Sequence, residues 1–167
     1  ERDWIRSIVD SMALSVSALN TYLRDPQAFF LDQILKAPQS VESHLAFGNA
    51  VHAALEAHYK AYRNHDNAHP EDAFSLGVFE ERLKREVLSP NDFESRRIQG
   101  HEVLKKYLAE KRAHFPQVLA TEEGFGWKRG PILLGDIKLS GKVDRMDIID
   151  QSKRVLHVID YKTGKQK

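Results

Sequence analysis

The stretch from Leu139 to Lys167, LSGKVDRMDIIDQSKRVLHVIDYKTGKQK, constrains the chain more than any other. Val143, Arg145, Asp147 and Ile149 alternate with Asp144, Met146 and Ile148, the period of a strand with two unlike faces. Gln151, Ser152 and Lys153 make a polar turn, and Val155 to Ile159 is the β-branched, apolar run of a buried strand. The two strands read as a hairpin. With the turn at Gln151–Lys153, Asp150 pairs with Arg154, and the same register sets Asp144 opposite Asp160 with Cβ atoms about 5 Å apart. Asp160 and Lys162 are two apart and leave the same face. Two close, half-buried carboxylates repel, so one takes up a proton or a cation sits between them. A pair of carboxylates with a lysine suits a hard cation such as Mg²⁺ or Mn²⁺. The same Asp-Xaa-Lys also reads as a surface ion pair of little energetic weight, and a slip of one residue turns Asp144 to the other face.

Upstream, the pattern is helical. Trp4, Ile5, Ile8 and Val9 form a short amphipathic lead-in within residues 1–13. Ser15 or Ser17 caps a helix carrying Ala18, Leu19, Tyr22 and Leu23. Asp25-Pro26 breaks it, and Pro26 opens the next helix, with Phe29, Phe30, Ile34 and Leu35 on its apolar side. Lys36 to Glu42 is a loop containing Pro38. From Ser43 or His44 runs a long helix with Val51, Leu55, Tyr59 and Tyr62 as its apolar stripe. His52 lies beside that stripe, one turn after Gly48 and one turn before Glu56. It is a candidate metal ligand, or else a satisfied core or rim histidine. The cost of Gly48 in a helix, roughly 1 kcal/mol against alanine, points to close approach by another element. His44, His58, His65 and His69 read as solvated.

Two more helices follow the polar Asn64–Pro70 loop. The first, Glu71 to Leu88, has Phe74, Val78, Phe79, Leu83 and Val87 inward. The second, Asp92 to Phe115, has Ile98, Val103, Leu104, Tyr107 and Leu108. Arg96, Arg97, Lys105, Lys106, Lys111 and Arg112 on the latter make either a solvated face or a phosphate-contacting one. Gln117 to Trp127 reads as a strand, Lys128 to Pro131 as a turn, and Ile132 to Leu134 as the start of a strand running through Gly135 and Asp136 into the hairpin. The expected fold is α/β in an α+β-like order, helices over residues 1–116 and a β-meander over 117–167, within one domain.

Composition excludes several chemistries. The chain of 167 residues has no cysteine, so disulfides, thiolate metal sites, iron–sulfur clusters and cysteine nucleophiles are ruled out. Hydrophobic residues make up 41% and charged ones 29%, the balance of an ordinary globular domain with a real core. The net charge of +1 argues neither for nor against nucleic acid. No apolar run approaches a membrane span and no signal peptide is read, so the expected compartment is the cytoplasm. The chain begins at Glu1 and stops shortly after Lys162, which reads as a piece of a longer polypeptide.

Five segments taken in order resemble the RecB-like nuclease domains of the PD-(D/E)XK superfamily, found in helicase–nuclease subunits. LSVSALNTYLRDPQAFF is similar to the family's S-x-S-x-L-x-x-Y helix and C-P-x-x-F turn, and FGNAVHAALE to its G-x-x-x-H-x-x-L-E helix. LATEEGF resembles its glutamate-bearing strand, SGKVDRMD its G-x-I-D-R-x-D, and VIDYKTG its V-x-D-Y/F-K-T-G. The resemblance implies a restriction-endonuclease-like core and a Mg²⁺- or Mn²⁺-dependent deoxyribonuclease. It implies His52, Asp144, Asp160 and the Tyr161 backbone carbonyl as metal ligands, and Lys162 as the residue that orients or activates the attacking water. It gives Glu122 a supporting role. Arg145, on the opposite face from Asp144, braces the core by an ion pair. The implied partners are DNA, single-stranded or fed from a helicase motor in cis or in trans, in repair or recombination. The alternatives are a non-catalytic DNA-binding or scaffolding module and a hydrolase of another phosphate ester. Asp25 stands where many members carry the first cysteine of an iron–sulfur staple. Members also continue past K-T-G into another strand and helix, so this chain reads as C-terminally truncated.

Overall fold

The computed structural model describes residues 2–36, 42–126 and 132–164. The loop expected around Pro38, Trp127, the turn at Lys128–Pro131 and the last three lysine-rich positions lie outside the described residues. The elements in order are α1 (Arg2–Ser11), β1 (Leu14–Ser15), α2 (Val16–Arg24), α3 (Pro26–Phe29), a π-helical turn (Phe30–Ile34), α4 (Ser43–Asn64), α5 (Asp72–Lys84), α6 (Pro90–Lys111), β2 (Gln117–Phe125), β3 (Ile132–Leu134), β4 (Ile137–Asp150) and β5 (Val155–Ile159). Six α-helices and a mixed five-stranded sheet make an α/β fold, in which β4 is paired with every other strand.

The chain falls into two compact units. One comprises Glu1–Ser40 with Glu123–Lys142, the other Val41–Glu122 with Val143–Lys167.

In the first unit, β1 runs parallel to β4 and β3 antiparallel to it. Ser15 caps α2 by accepting from the Ala18 amide. Asp25 caps α3 by accepting from the amides of Gln27 and Ala28, with Pro26 in the first turn, where its missing N–H costs nothing. The strand expected to run on from Leu134 is instead a hairpin. Leu134 pairs with Ile137 across Gly135-Asp136, and Gly135 adopts φ +61° there. The left-handed glycine reverses the chain, which a glycine inside an apolar run does not by itself reveal.

The second unit is built on α4. Val51, Leu55, Tyr59 and Tyr62 are all buried, so the expected stripe faces the core. It packs on Phe79 and Leu83 of α5 and on Leu104 and Leu108 of α6. α5 and α6 begin close to where their periodicity places them but stop at Lys84 and Lys111, short of the expected Leu88 and Phe115, and their inward lists need correction. Phe74, Ile98 and Val103 are exposed, and Val87 lies beyond α5 and is 95% exposed. Gly100 takes an inward position instead, because the ring of Phe79 fills the space a side chain there would need. The basic run of α6 is largely engaged within the chain: Arg97 pairs with Glu94 and Glu80, Arg112 with Asp72, and Arg96 donates to Ser43 Oγ.

His58 and His69, expected as solvated, form a chain of hydrogen bonds that runs from the buried His58 to the half-buried His69. His58 lies 2.9 Å from Ser75 Oγ through Nδ1 and 3.0 Å from His69 Nδ1 through Nε2. His69 Nε2 donates to the His114 carbonyl at 2.8 Å, so the neutral series runs from Ser75 hydroxyl through both rings to the main chain. The signal was available: His58 follows Leu55 by three positions and precedes Tyr62 by four, which puts it on the apolar side of α4.

The β4–β5 hairpin keeps its expected register along most of its length, pairing Arg145 with Ile159 and Ile148 with Leu156. Its end differs. Asp150 pairs with Val155, not Arg154, through an irregularity between Ile148 and Asp150, and Arg154 stands in the turn at φ +55°. Asp150 caps that turn, accepting from Ser152 Oγ and the Lys153 amide.

Candidate metal centre

Four segments of the second unit converge on one place. α4, held by its buried stripe, carries His52 at the stripe's edge, half-buried. β2 delivers Glu122. There the regular alternation of the strand is interrupted, because Glu122 takes φ +51°, a left-handed conformation that costs a non-glycine residue on the order of 1 kcal/mol. β4 brings Asp144, and the segment leaving β5 brings Tyr161.

His52 Nδ1 lies 3.3 Å from Asp144 Oδ1 and 3.7 Å from Glu122 Oε1. The two carboxylate side chains are nearly inaccessible, at 10% and 7% exposure. One donor atom from each of the three residues falls within 4.8 Å of the others. His52 Nε2 is 3.2 Å from the Tyr161 carbonyl oxygen. A carbonyl only accepts, so Nε2 carries a proton, and Nδ1 is the ring nitrogen turned toward the carboxylates. Asp144 Oδ2 accepts the Tyr161 N–H at 2.6 Å. The main chain of Tyr161 therefore orients both donors, one through its N–H and one through its C=O.

The remaining expected residues are placed as follows. The paired register stops at Arg145 and Ile159, one position short of the expected pairing of Asp144 with Asp160. Asp160 is turned to Lys162, Oδ2 to Nζ 2.6 Å, on side chains 60% and 80% exposed. It is not among the three grouped donors. The contact with Asp160, above all, holds the Lys162 ammonium above the usual lysine range, with slight burial opposing and Asp144 adding in the same direction. Arg145 points away from the cluster and donates to Asp147 Oδ2 at 3.0 Å, both side chains buried, with its guanidinium 3.9 Å from the Tyr59 ring centre. Glu56 is engaged by Lys60. Gly48 faces Thr163, just past Lys162 in sequence, which is the close approach its presence in α4 implies.

Glu122 is the residue whose prominence the sequence understated. A period of two cannot tell which way a strand residue turns once the backbone leaves the extended region.

A ring nitrogen facing two carboxylates takes either a proton or a cation between them, and nitrogen with hard oxygens is a donor set for a divalent ion. The set lies beside an Asp-Xaa-Lys segment leaving a strand, within an α/β fold. The chain is a member of the PD-(D/E)XK nuclease superfamily, whose family model matches residues 13–167. No curated protein matches the chain significantly.

Proposed function

We propose that the chain is a divalent-metal-dependent nuclease domain that hydrolyses phosphodiester bonds in DNA. The observation that supports it best is the cluster of His52, Glu122 and Asp144, oriented by the main chain of the very segment that carries Asp160 and Lys162.

In this reading His52 through Nδ1, Asp144 and Glu122 hold Mg²⁺ or Mn²⁺, and Asp160 joins them by giving up its pairing with Lys162. The Tyr161 carbonyl, already accepting from His52, has a second lone pair to offer. A bound divalent cation supplies Lewis-acid polarisation of the phosphate and lowers the pKa of a bound water. Lys162, cationic and exposed, orients the phosphate and offsets the negative charge that develops on it. A lysine side chain is an ammonium at neutral pH, so its part is electrostatic. Arg145 and its partner Asp147 brace the strand from the other side.

The RecB-like order of the five motifs supports a finer assignment. The domain acts on single-stranded DNA, or on a strand delivered by a helicase motor, in repair or recombination in the cytoplasm. Among the described residues no helix is long and apolar enough to cross a membrane.

The test is cleavage of a labelled single-stranded DNA in Mg²⁺, Mn²⁺ or EDTA, by the wild type beside Asp144→Asn and Asp160→Ala. Cleavage is expected only with metal and only from the wild type. DNA binding with no cleavage under any condition would favour the non-catalytic binding module, and cleavage that survives both substitutions would remove the site assignment.

A further inference from the structure

The strand ladder that organises the hairpin ends with Arg145 and Ile159. Asp160, Tyr161 and Lys162 follow it without regular secondary structure, and the first and last of them are exposed. The ladder therefore does not hold the segment on which the metal centre depends. What holds it is the side chain of Tyr161. Its ring stands edge-on to Tyr107 of α6, centroids 6.1 Å apart, and edge-on to His52 at 5.9 Å. It packs against both apolar clusters of the unit, as Tyr107 does. Its hydroxyl accepts from Arg145 Nη1 at 3.3 Å. Arg145 is itself immobilised by Asp147 and by the face of Tyr59, whose hydroxyl lies 3.3 Å from that of Tyr107.

The two adjacent residues of β4 thus grip Tyr161 at its two ends: Asp144 takes the main-chain N–H and Arg145 takes the hydroxyl. We propose that Tyr107 and Arg145 are positioning residues of the metal centre, acting through the partly buried ring of Tyr161 to set the main-chain N–H and C=O that orient Asp144 and His52. The proposal rests on the metal reading above. The carbonyl and N–H can meet their partners only while the ring is seated. Groups that orient metal ligands from behind commonly carry about 10- to 100-fold in metal affinity.

The experiment is calorimetric titration with Mn²⁺, without DNA, at a temperature where circular dichroism shows each protein fully folded. Arg145→Met and Tyr107→Leu are expected to weaken Mn²⁺ binding by about tenfold or more. Tyr161→Phe keeps the ring and loses only the hydroxyl, so it disturbs the core least, and is expected to weaken binding several-fold. Phe79→Leu, whose ring stands against Phe47 and His101, is the control for mere destabilisation and is expected to lower the melting temperature with no change in affinity. Variants that bind Mn²⁺ within twofold of the wild type would overturn the proposal, as would an equal loss in Phe79→Leu. A wild type no better than Asp144→Asn at binding Mn²⁺ would instead overturn the metal reading, and the positioning role with it.

Discussion

Gly48 of α4 faces Thr163 so closely that a Cβ at position 48 would lie 3.2 Å from Thr163 Oγ1. The helix carrying His52 and the chain carrying Lys162 are thus in contact one turn from the metal centre. Gly48→Ala is expected to separate stability from activity. Alanine adds about 1 kcal/mol of helix preference, while Thr163 must yield by a few tenths of an ångström. The melting temperature should stay level or rise, and metal-dependent cleavage should fall by about tenfold, since small misplacements at a reacting centre are costly. Melting curves and cleavage rates measured on one preparation check both halves.

Gly100 of α6 is a packing glycine. A Cβ there would lie 2.0 Å from Cζ of the fully buried Phe79 ring. Gly100→Ala should destabilise by roughly 1–3 kcal/mol, because the ring has to move within a close-packed core and the gain in helix preference is smaller. Urea denaturation measures it. Phe79→Leu in the same chain should recover part of the loss.

Asp144→Asn keeps an oxygen to accept the Tyr161 N–H and removes one of two nearly inaccessible carboxylates beside the His52 ring. In EDTA the variant is expected to be more stable than the wild type by on the order of 1 kcal/mol, through relief of repulsion. The further stabilisation that Mn²⁺ gives the wild type should vanish. Thermal melts with and without Mn²⁺ give both numbers. A clear loss of stability in EDTA would contradict the repulsion.

His58 makes stability depend on pH. Burial, first, lowers its pKa from 6.5 to about 4; His69 and then Arg112 act in the same direction, Asp72 opposes, and Arg145 lowers it further. The unfolded chain therefore binds a proton between pH 6.5 and 4 that the folded chain refuses. Stability is fully present above 6.5 and declines as pH falls through that window, by at most about 3 kcal/mol. Protonation would add a hydrogen at His58 Nδ1, so the Ser75 hydroxyl that donates to it would have to turn and accept instead. Urea midpoints at pH 7, 5.5 and 4.5 should fall in the wild type with a slope that shrinks in His58→Gln.

Much of the architecture was legible. The stripe of Val51, Leu55, Tyr59 and Tyr62 needed only the helical period, and the hairpin register only the strand period, because both are local rules of side-chain direction. The misreadings sit where local rules lapse. Gly135 and Glu122 take positive φ, which no alternation encodes, and the irregularity after Ile148 moves Asp150 onto Val155. Phe74, Ile98 and Val103 have apolar side chains in helical spacing, yet the neighbours that would cover them are not the ones α5 and α6 meet.

The sequence by itself determined the elements, the absence of thiol chemistry, the order of the five motifs and the candidate donors His52, Asp144 and Asp160. Only the tertiary structure decided which of them meet. His52 and Tyr161 are 109 positions apart and are joined through one carbonyl, Glu122 groups with His52 and Asp144, and Asp160 turns to Lys162. The reason is physical. The direction of a side chain within an element follows from a short repeat, whereas the pairing of elements is settled by burying α4 against α5 and α6 and by seating the ring of Tyr161 between two apolar clusters.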